Sequence, residues 1–207
     1  MEPIPRTPQT VVLVRHGATE WSKSGQHTGR TDLPLVEEGE TQARDLHKNL
    51  SAFLDGRRPG VVLSSPLRRA LDTCRLAGFG EEVQLDEDLM EWDYGLYEGR
   101  TTAEIRAERS GWELFRDGCP GGEVASEVGR RAARVIARLA SNHALSRTER
   151  PAVLFSHGHV LRVLAAVFIG AEPELGRALP FDTGAISELG WSHDDPAIKV
   201  WNCPGCR

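Results

Sequence analysis

Three short apolar runs constrain this chain most. Val11-Val12-Leu13-Val14, Val61-Val62-Leu63 and Val153-Leu154-Phe155 are β-branched or bulky throughout, with no alternation of apolar and polar residues. A strand with one wet face alternates; a run that does not is a strand buried on both faces. Such strands need cover on either side, and helical patterns lie between them. Glu37 to Leu54 sets Ala43, Leu46, Leu50, Phe53 and Leu54 on one face. Pro66, Leu67, Ala70, Leu71 and Cys74 suggest a second helix with proline at an early position. Ser126 to Leu145 carries Val128, Ala132, Val135, Ile136 and Leu139 at helical spacing, with Ser126 as its expected cap. His159 to Ile169 reads as a buried helix. Ala185–Leu189 and Ile198–Trp201 are weaker strand candidates, and Val83–Leu85 is a strand or an extended link.

Buried strands alternating with helices imply an α/β fold, a three-layer α/β/α sandwich around a mostly parallel sheet. Ligands of such sheets sit beyond the C-terminal ends of the strands. Three segments begin there: Arg15-His16-Gly17, Ser64-Ser65-Pro66-Leu67-Arg68-Arg69 and Ser156-His157-Gly158-His159. The fold reading alone therefore gathers histidines and arginines on one edge of the sheet.

The remaining properties narrow the class. With 207 residues, 40% hydrophobic and 27% charged, the chain is long enough for a sizeable core and reads as one domain, 1–207, with a flexible N-terminus (1–9) and a C-terminal tail (202–207). Its net charge of −5 gives no bulk attraction to nucleic acid or an anionic membrane, so an anionic substrate needs a local basic cluster. Residues Met1 to Thr10 are polar and carry three prolines, unlike a signal peptide, and the longest apolar candidate for a span, Val160–Ile169, is interrupted by Arg162. A cytoplasmic location is the default expectation, and the oligomeric state is open, a homo-oligomer included. Cys203 and Cys206 form one Cys-Pro-Gly-Cys pair, where a zinc site normally needs two such knuckles, so neither metal nor other cofactor is expected.

Arginine and histidine beside strand ends suit phosphoryl transfer. The transferred group carries negative charge on its equatorial oxygens, and guanidinium forks match those oxygens. Neutral imidazole is a competent nucleophile toward phosphorus, and flanking arginines should keep His16 neutral. A helix N-terminus after His157 would add backbone N–H donors.

Arg15-His16-Gly17-Ala18-Thr19-Glu20 resembles the signature of the histidine phosphatase superfamily, in its phosphoglycerate-mutase-like branch. Ser64–Ala70, Leu89–Gly99 and Phe155–His159 resemble its second, third and fourth blocks, in family order. The resemblance implies a phosphoglycerate-mutase-like fold and a catalytic set of His16 as nucleophile, Arg15, Arg69 and His157 around the phosphate, and Glu91 as proton donor. Trp21–Gly29, Glu91–Tyr94 and Asp117–Cys119 are similar to a subgroup of sugar bisphosphatases and bacterial acid phosphatases. By that similarity Ser22, Thr28, Gly29, Tyr94 and Gly158 line the substrate side; most of the family has Asn where this chain has Ser22. The implied activity is metal-independent hydrolysis of a small phosphomonoester, a sugar phosphate or bisphosphate. A phosphoglycerate mutase and an inactive binding protein on the same fold are the alternatives. The short connection before Gly121-Gly122-Glu123 favours hydrolysis over transfer, because less cover admits water. His159 is either a polar first-turn residue or a substrate contact. Trp92 and Trp112 are expected to pack, and Arg130, Arg131, Arg134 and Arg138 to form the solvated face of their helix. Asp194-Asp195 suggests a turn.

Overall fold

The computed structural model describes residues 10–142 and 150–204. Its centre is a six-stranded sheet of β1 (Thr10–Arg15), β2 (Val61–Ser64), β3 (Val83–Leu85), β4 (Ala152–Ser156), β5 (Ile186–Ser192) and β6 (Asp195–Cys203). The spatial order is β3-β2-β4-β1-β5-β6. The pairs β3–β2, β2–β4 and β4–β1 are parallel; β1–β5 and β5–β6 are antiparallel. The mostly parallel sheet expected from the sequence is present, closed on one side by an antiparallel hairpin. Its turn is at His193–Asp194, with His193 at φ 58°, the tight geometry that suits a two-residue connection.

Both faces of the central strands are covered, which is why their sequences do not alternate. Val11, Leu13, Ala152 and Leu154 pack with α6 (Ala125–Ser141) and α7 (Gly158–Phe168). Val12, Val14, Val62, Val153 and Phe155 pack with Leu46 and Leu50 of α2 (Glu37–Phe53) and Cys74 of α3 (Arg68–Leu76). Successive side chains point to opposite faces, so one strand feeds two cores. The short helices α1 (Glu20–Ser24), α4 (Thr102–Glu108) and α5 (Leu114–Asp117) lie in the connections, α1 between β1 and α2 and the other two between β3 and α6.

Several boundaries differ from expectation. Helix α3 starts at Arg68, not at Pro66; Asp32 Oδ1 accepts the Arg68 amide at 2.7 Å and so caps it from a distant loop. Helix α6 is preceded by Val124 rather than capped by Ser126, and Glu127 turns back to accept the Val124 amide at 3.0 Å. The expected end of this helix, 143–145, lies outside the described residues, as do residues 1–9, for which flexibility is the expectation, and Cys206. The tail does not begin at 202: β6 runs through Cys203, and the Asn202 amide donates to Ser187 Oγ at 2.9 Å.

Arg131 departs from the solvated face assigned to it. It sits three residues after Val128 and four before Val135, on the buried side of α6, and is 5% exposed. Its guanidinium pairs with Glu123 at 2.8 Å and donates to the carbonyls of Asp88 and Met90. Arg134 and Arg138 are exposed and ion-paired with Asp88 and Asp86. Trp92 and Trp112 are packed in the core, their indole N–H groups donating to the carbonyls of Glu123 and Gly118.

Candidate active site

The register of the sheet assembles the site. Arg15 of β1 pairs with Ser156 of β4, and Ser64 of β2 pairs with Phe155. The next residues along each strand, His16, His157 and Ser65, therefore emerge side by side. The His16 and His157 rings are 5.1 Å apart between centroids.

His16 is 5% exposed and anchored through its amide to the Ser156 carbonyl at 3.0 Å. Its Nδ1 faces the Gly17 carbonyl at 2.7 Å, so Nδ1 carries the proton and Nε2 keeps its lone pair. Burial, then the charges of Arg69 and Arg15, push the ring well below the usual histidine range, so the imidazole is neutral. Gly17 makes this turn possible: a Cβ there would stand 2.2 Å from the Gly39 carbonyl in the first turn of α2.

Arg15 lies beside it. One Nη1 hydrogen goes to the Phe181 carbonyl, while Nε is buried with no hydrogen-bond partner, the one such side-chain atom among the described residues. A buried guanidinium N–H without an acceptor is costly unless something anionic arrives to accept it. Gly158 sits against this group; a Cβ there would come within 3.2 Å of the guanidinium carbon and Nε.

Arg69 and His157 stand one layer behind. Arg69 is fully buried and ties the site together: Nε donates to His157 Nδ1 at 3.0 Å, Nη1 to the Thr31 carbonyl, and Nη2 to the carbonyls of Thr28 and Gly29. Because His157 Nδ1 accepts, its Nε2 holds the proton and donates to Ser65 Oγ at 2.8 Å. Burial and the Arg69 charge hold His157 well below the usual range. Neither residue lines the open cavity, whose walls include Arg15, His16, Glu91 and Tyr94.

Glu91 closes the opposite side at 5% exposure. Its Oε1 accepts the amides of Trp92 and Val160, both at 2.9 Å, and its Oε2 accepts the His159 amide at 3.0 Å. The N-terminus of α7 thus directs two of its N–H groups at Glu91 rather than at a ligand. That corrects the expectation that those donors are free for phosphate, and it follows from the preference of helix N-termini for an anion.

The cavity has a volume of about 260 Å³. Of the residues that the resemblance assigns to the substrate side, Ser22, Thr28 and Tyr94 line it. The Ser22 hydroxyl is engaged, however: it accepts the Thr19 amide at 2.8 Å and donates to the Thr19 carbonyl at 2.9 Å, forming the capping box of α1. Gly29 stands off the cavity wall, its amide held by Glu98 and its carbonyl by Arg69. The Tyr94 hydroxyl is 2.6 Å from His159 Nδ1, and burial raises that phenol well above its usual range. His159 is therefore a wall residue as well as a first-turn residue. Sequence reasoning gave no role to His27, Gln26, Trp21 and Thr102 of the wall, nor to Ser65 behind it. No periodicity marks them, since they come from loops and short helices.

Comparison with known proteins identifies the family. The family description "Histidine phosphatase superfamily (branch 1)" matches residues 11–204. A sedoheptulose 1,7-bisphosphatase of Saccharomyces cerevisiae is 40% identical over 77% of this chain and 67% of its own. An acid phosphatase of Mycobacterium tuberculosis is 40% identical over 94% of this chain and 93% of its own. The solved structure of a mycobacterial glucosyl-3-phosphoglycerate phosphatase in complex with VO3 superimposes with a TM-score of 0.82 at 31% identity, covering 94% of this chain and 99% of that one.

Proposed function

The chain belongs to branch 1 of the histidine phosphatase superfamily and is a phosphoric monoester hydrolase; from that premise we propose how its residues hydrolyse a small sugar phosphate or bisphosphate. The observation that carries the reading is the pairing of a neutral His16, its Nε2 lone pair free, with the unpartnered buried Nε of Arg15. One offers a nucleophile and the other a vacant donor for a phosphoryl oxygen.

In the proposed cycle His16 Nε2 attacks phosphorus in line with the ester oxygen, and the P–O bond breaks as the N–P bond forms. Arg15 stabilises the charge on the equatorial oxygens. Arg69 keeps His157 and the 28–31 loop in place around it and adds positive charge from behind. Glu91 gives a proton to the leaving alkoxide, then takes one from the water that attacks phospho-His16, releasing phosphate and restoring the imidazole. The trigonal bipyramid of vanadate resembles that transition state, in keeping with the VO3 complex of the mycobacterial relative. No metal enters the cycle. The cytoplasm is the compartment proposed, and the unpaired buried thiols Cys74 and Cys119 suit a reducing one.

The test is rapid-quench trapping with a [32P]-labelled sugar phosphate in excess chelator. The expected result is a protein-bound label, acid-labile and base-stable, that disappears in His16→Ala together with phosphate release. Retained turnover in His16→Ala, or turnover only with added divalent metal, would refute the mechanism. A requirement for a bisphosphoglycerate primer would indicate a mutase instead.

A further inference from the structure

Arg15 is the one lysine or arginine among the described residues lining the cavity, and Gln26, His27, Tyr94, Thr102 and His159 form an uncharged part of its wall. His27 is fixed in a backbone ladder, its amide donating to the Arg100 carbonyl at 2.9 Å and its carbonyl accepting the Gly99 amide at 2.8 Å. Its ring stacks at 4.7 Å on Tyr94, meets the edge of Trp112 at 5.6 Å and lies 6.2 Å from the His159 ring. One nitrogen of each ring is used: His27 Nε2 is 3.3 Å from Thr102 Oγ1, and His159 Nδ1 meets Tyr94. The others, His27 Nδ1 and His159 Nε2, make no hydrogen bond with the described residues, and both residues line the cavity.

Both rings are uncharged. Burial lowers His27 to about 4 against the opposing charge of Glu98, and burial followed by the charges of Arg162 and Arg15 lowers His159 well below the usual range. The charged groups nearby are already engaged. Glu98 holds the amides of Gly29 and Thr31, Arg100 pairs with Glu108, Arg30 with Asp93 and Lys23 with Glu38. Arg162, behind His159, stacks on Phe115 and donates to the carbonyls of Gly176 and Arg177.

We propose that His27 is a specificity-determining residue which, with His159, receives hydroxyl groups of an uncharged polyol attached to the transferred phosphate. A sugar monophosphate is then preferred to a substrate bearing a second phosphate or a carboxylate. This rests on the hydrolase reading above and narrows it. A hydroxyl entering this wall exchanges water for a ring nitrogen at little loss. A second phosphate would shed its hydration with no unpaired cation among the described wall residues to replace it.

The test compares kcat/KM for fructose 6-phosphate, fructose 1,6-bisphosphate, 3-phosphoglycerate and p-nitrophenyl phosphate. Fructose 6-phosphate is expected to exceed the bisphosphate and the phosphoglycerate by about tenfold or more, the scale of one good polar contact. His27→Leu should lose about tenfold on fructose 6-phosphate, mainly in KM, and change p-nitrophenyl phosphate by less than about threefold. His27→Arg should move the ranking toward the bisphosphate. Wild-type preference for the bisphosphate or phosphoglycerate, or equal losses on all esters in His27→Leu, overturns the proposal. Hydrolysis of p-nitrophenyl phosphate without the ranking overturns it alone; no hydrolysis of any ester overturns the hydrolase reading with it.

Discussion

Mild acid should destabilise this protein well before its carboxylates titrate. Four site histidines are held neutral by burial: His16, His157 and His159 well below the ordinary value of 6.5, and His27 down to about 4. Their folded values lie below the unfolded one, so the unfolded chain binds protons that the folded chain refuses. Their contribution is whole above about pH 6.5 and shrinks as pH falls through the window toward each folded value. At pH 5.5 an unfolded histidine is about nine-tenths protonated, which amounts to roughly 1.4 kcal/mol for each ring that stays neutral when folded. Four such rings give about 5.6 kcal/mol, more than a third of a typical total stability of roughly 5–15 kcal/mol. Asp117, held at about 2 by Arg116, affects stability only in more acid solution, below the ordinary aspartate value of 3.8. Guanidinium unfolding at pH 7.5 and pH 5.5 measures the difference. His27→Gln should reduce it by about 1.4 kcal/mol, one ring's share. A loss under about 1 kcal/mol in the wild type would show that the folded rings take up protons freely, and would remove the basis for a neutral His16 nucleophile.

Three substitutions probe the site further. Glu91→Gln keeps an acceptor for the α7 amides but removes the proton donor, so kcat on alkyl phosphates should fall on the order of 10²–10³-fold, and much less on p-nitrophenyl phosphate, whose leaving group needs no proton; equal losses on both would argue against the role. Ser22→Ala breaks the α1 capping box and should lower stability by about 1 kcal/mol in chemical denaturation while kcat/KM changes less than about threefold, whereas a large rise in KM would restore Ser22 as a substrate contact. Ser65→Ala leaves the His157 Nε2–H buried without an acceptor; the expected cost is about 1–3 kcal/mol with a fall in kcat, and Ser65→Thr should recover part of both.

What the sequence made legible was the part built from continuous patterns. Unalternated runs such as Val11–Val14 announced strands buried on both faces, and strand ends then brought Arg15, His16 and His157 to one edge through fold topology alone. The register confirms that step physically: Arg15 opposite Ser156 makes His16 and His157 neighbours. The sequence points the wrong way at Arg131 because a charged residue on an amphipathic helix is normally solvated; its burial depends on Glu123 and two carbonyls that reach it from other segments. No local pattern encodes that pairing. The same holds for Gly29 and Arg69, whose contacts join residues some forty positions apart.

The difference between Glu91 and Arg15 follows from the same physics. Both are charged and beside His16; resemblance places Glu91 in the site, whereas strand topology already brings Arg15 there. The structure gives the Glu91 carboxylate three amide donors, two from the α7 N-terminus and one from Trp92, so its position is fixed before any ligand arrives. It leaves Arg15 Nε with none. An anion therefore meets a Glu91 side chain whose oxygens are already held by backbone amides and a guanidinium with a donor still open, and this asymmetry directs the phosphoryl group toward Arg15. A sequence lists both residues, but only the folded chain shows which of the two is already satisfied.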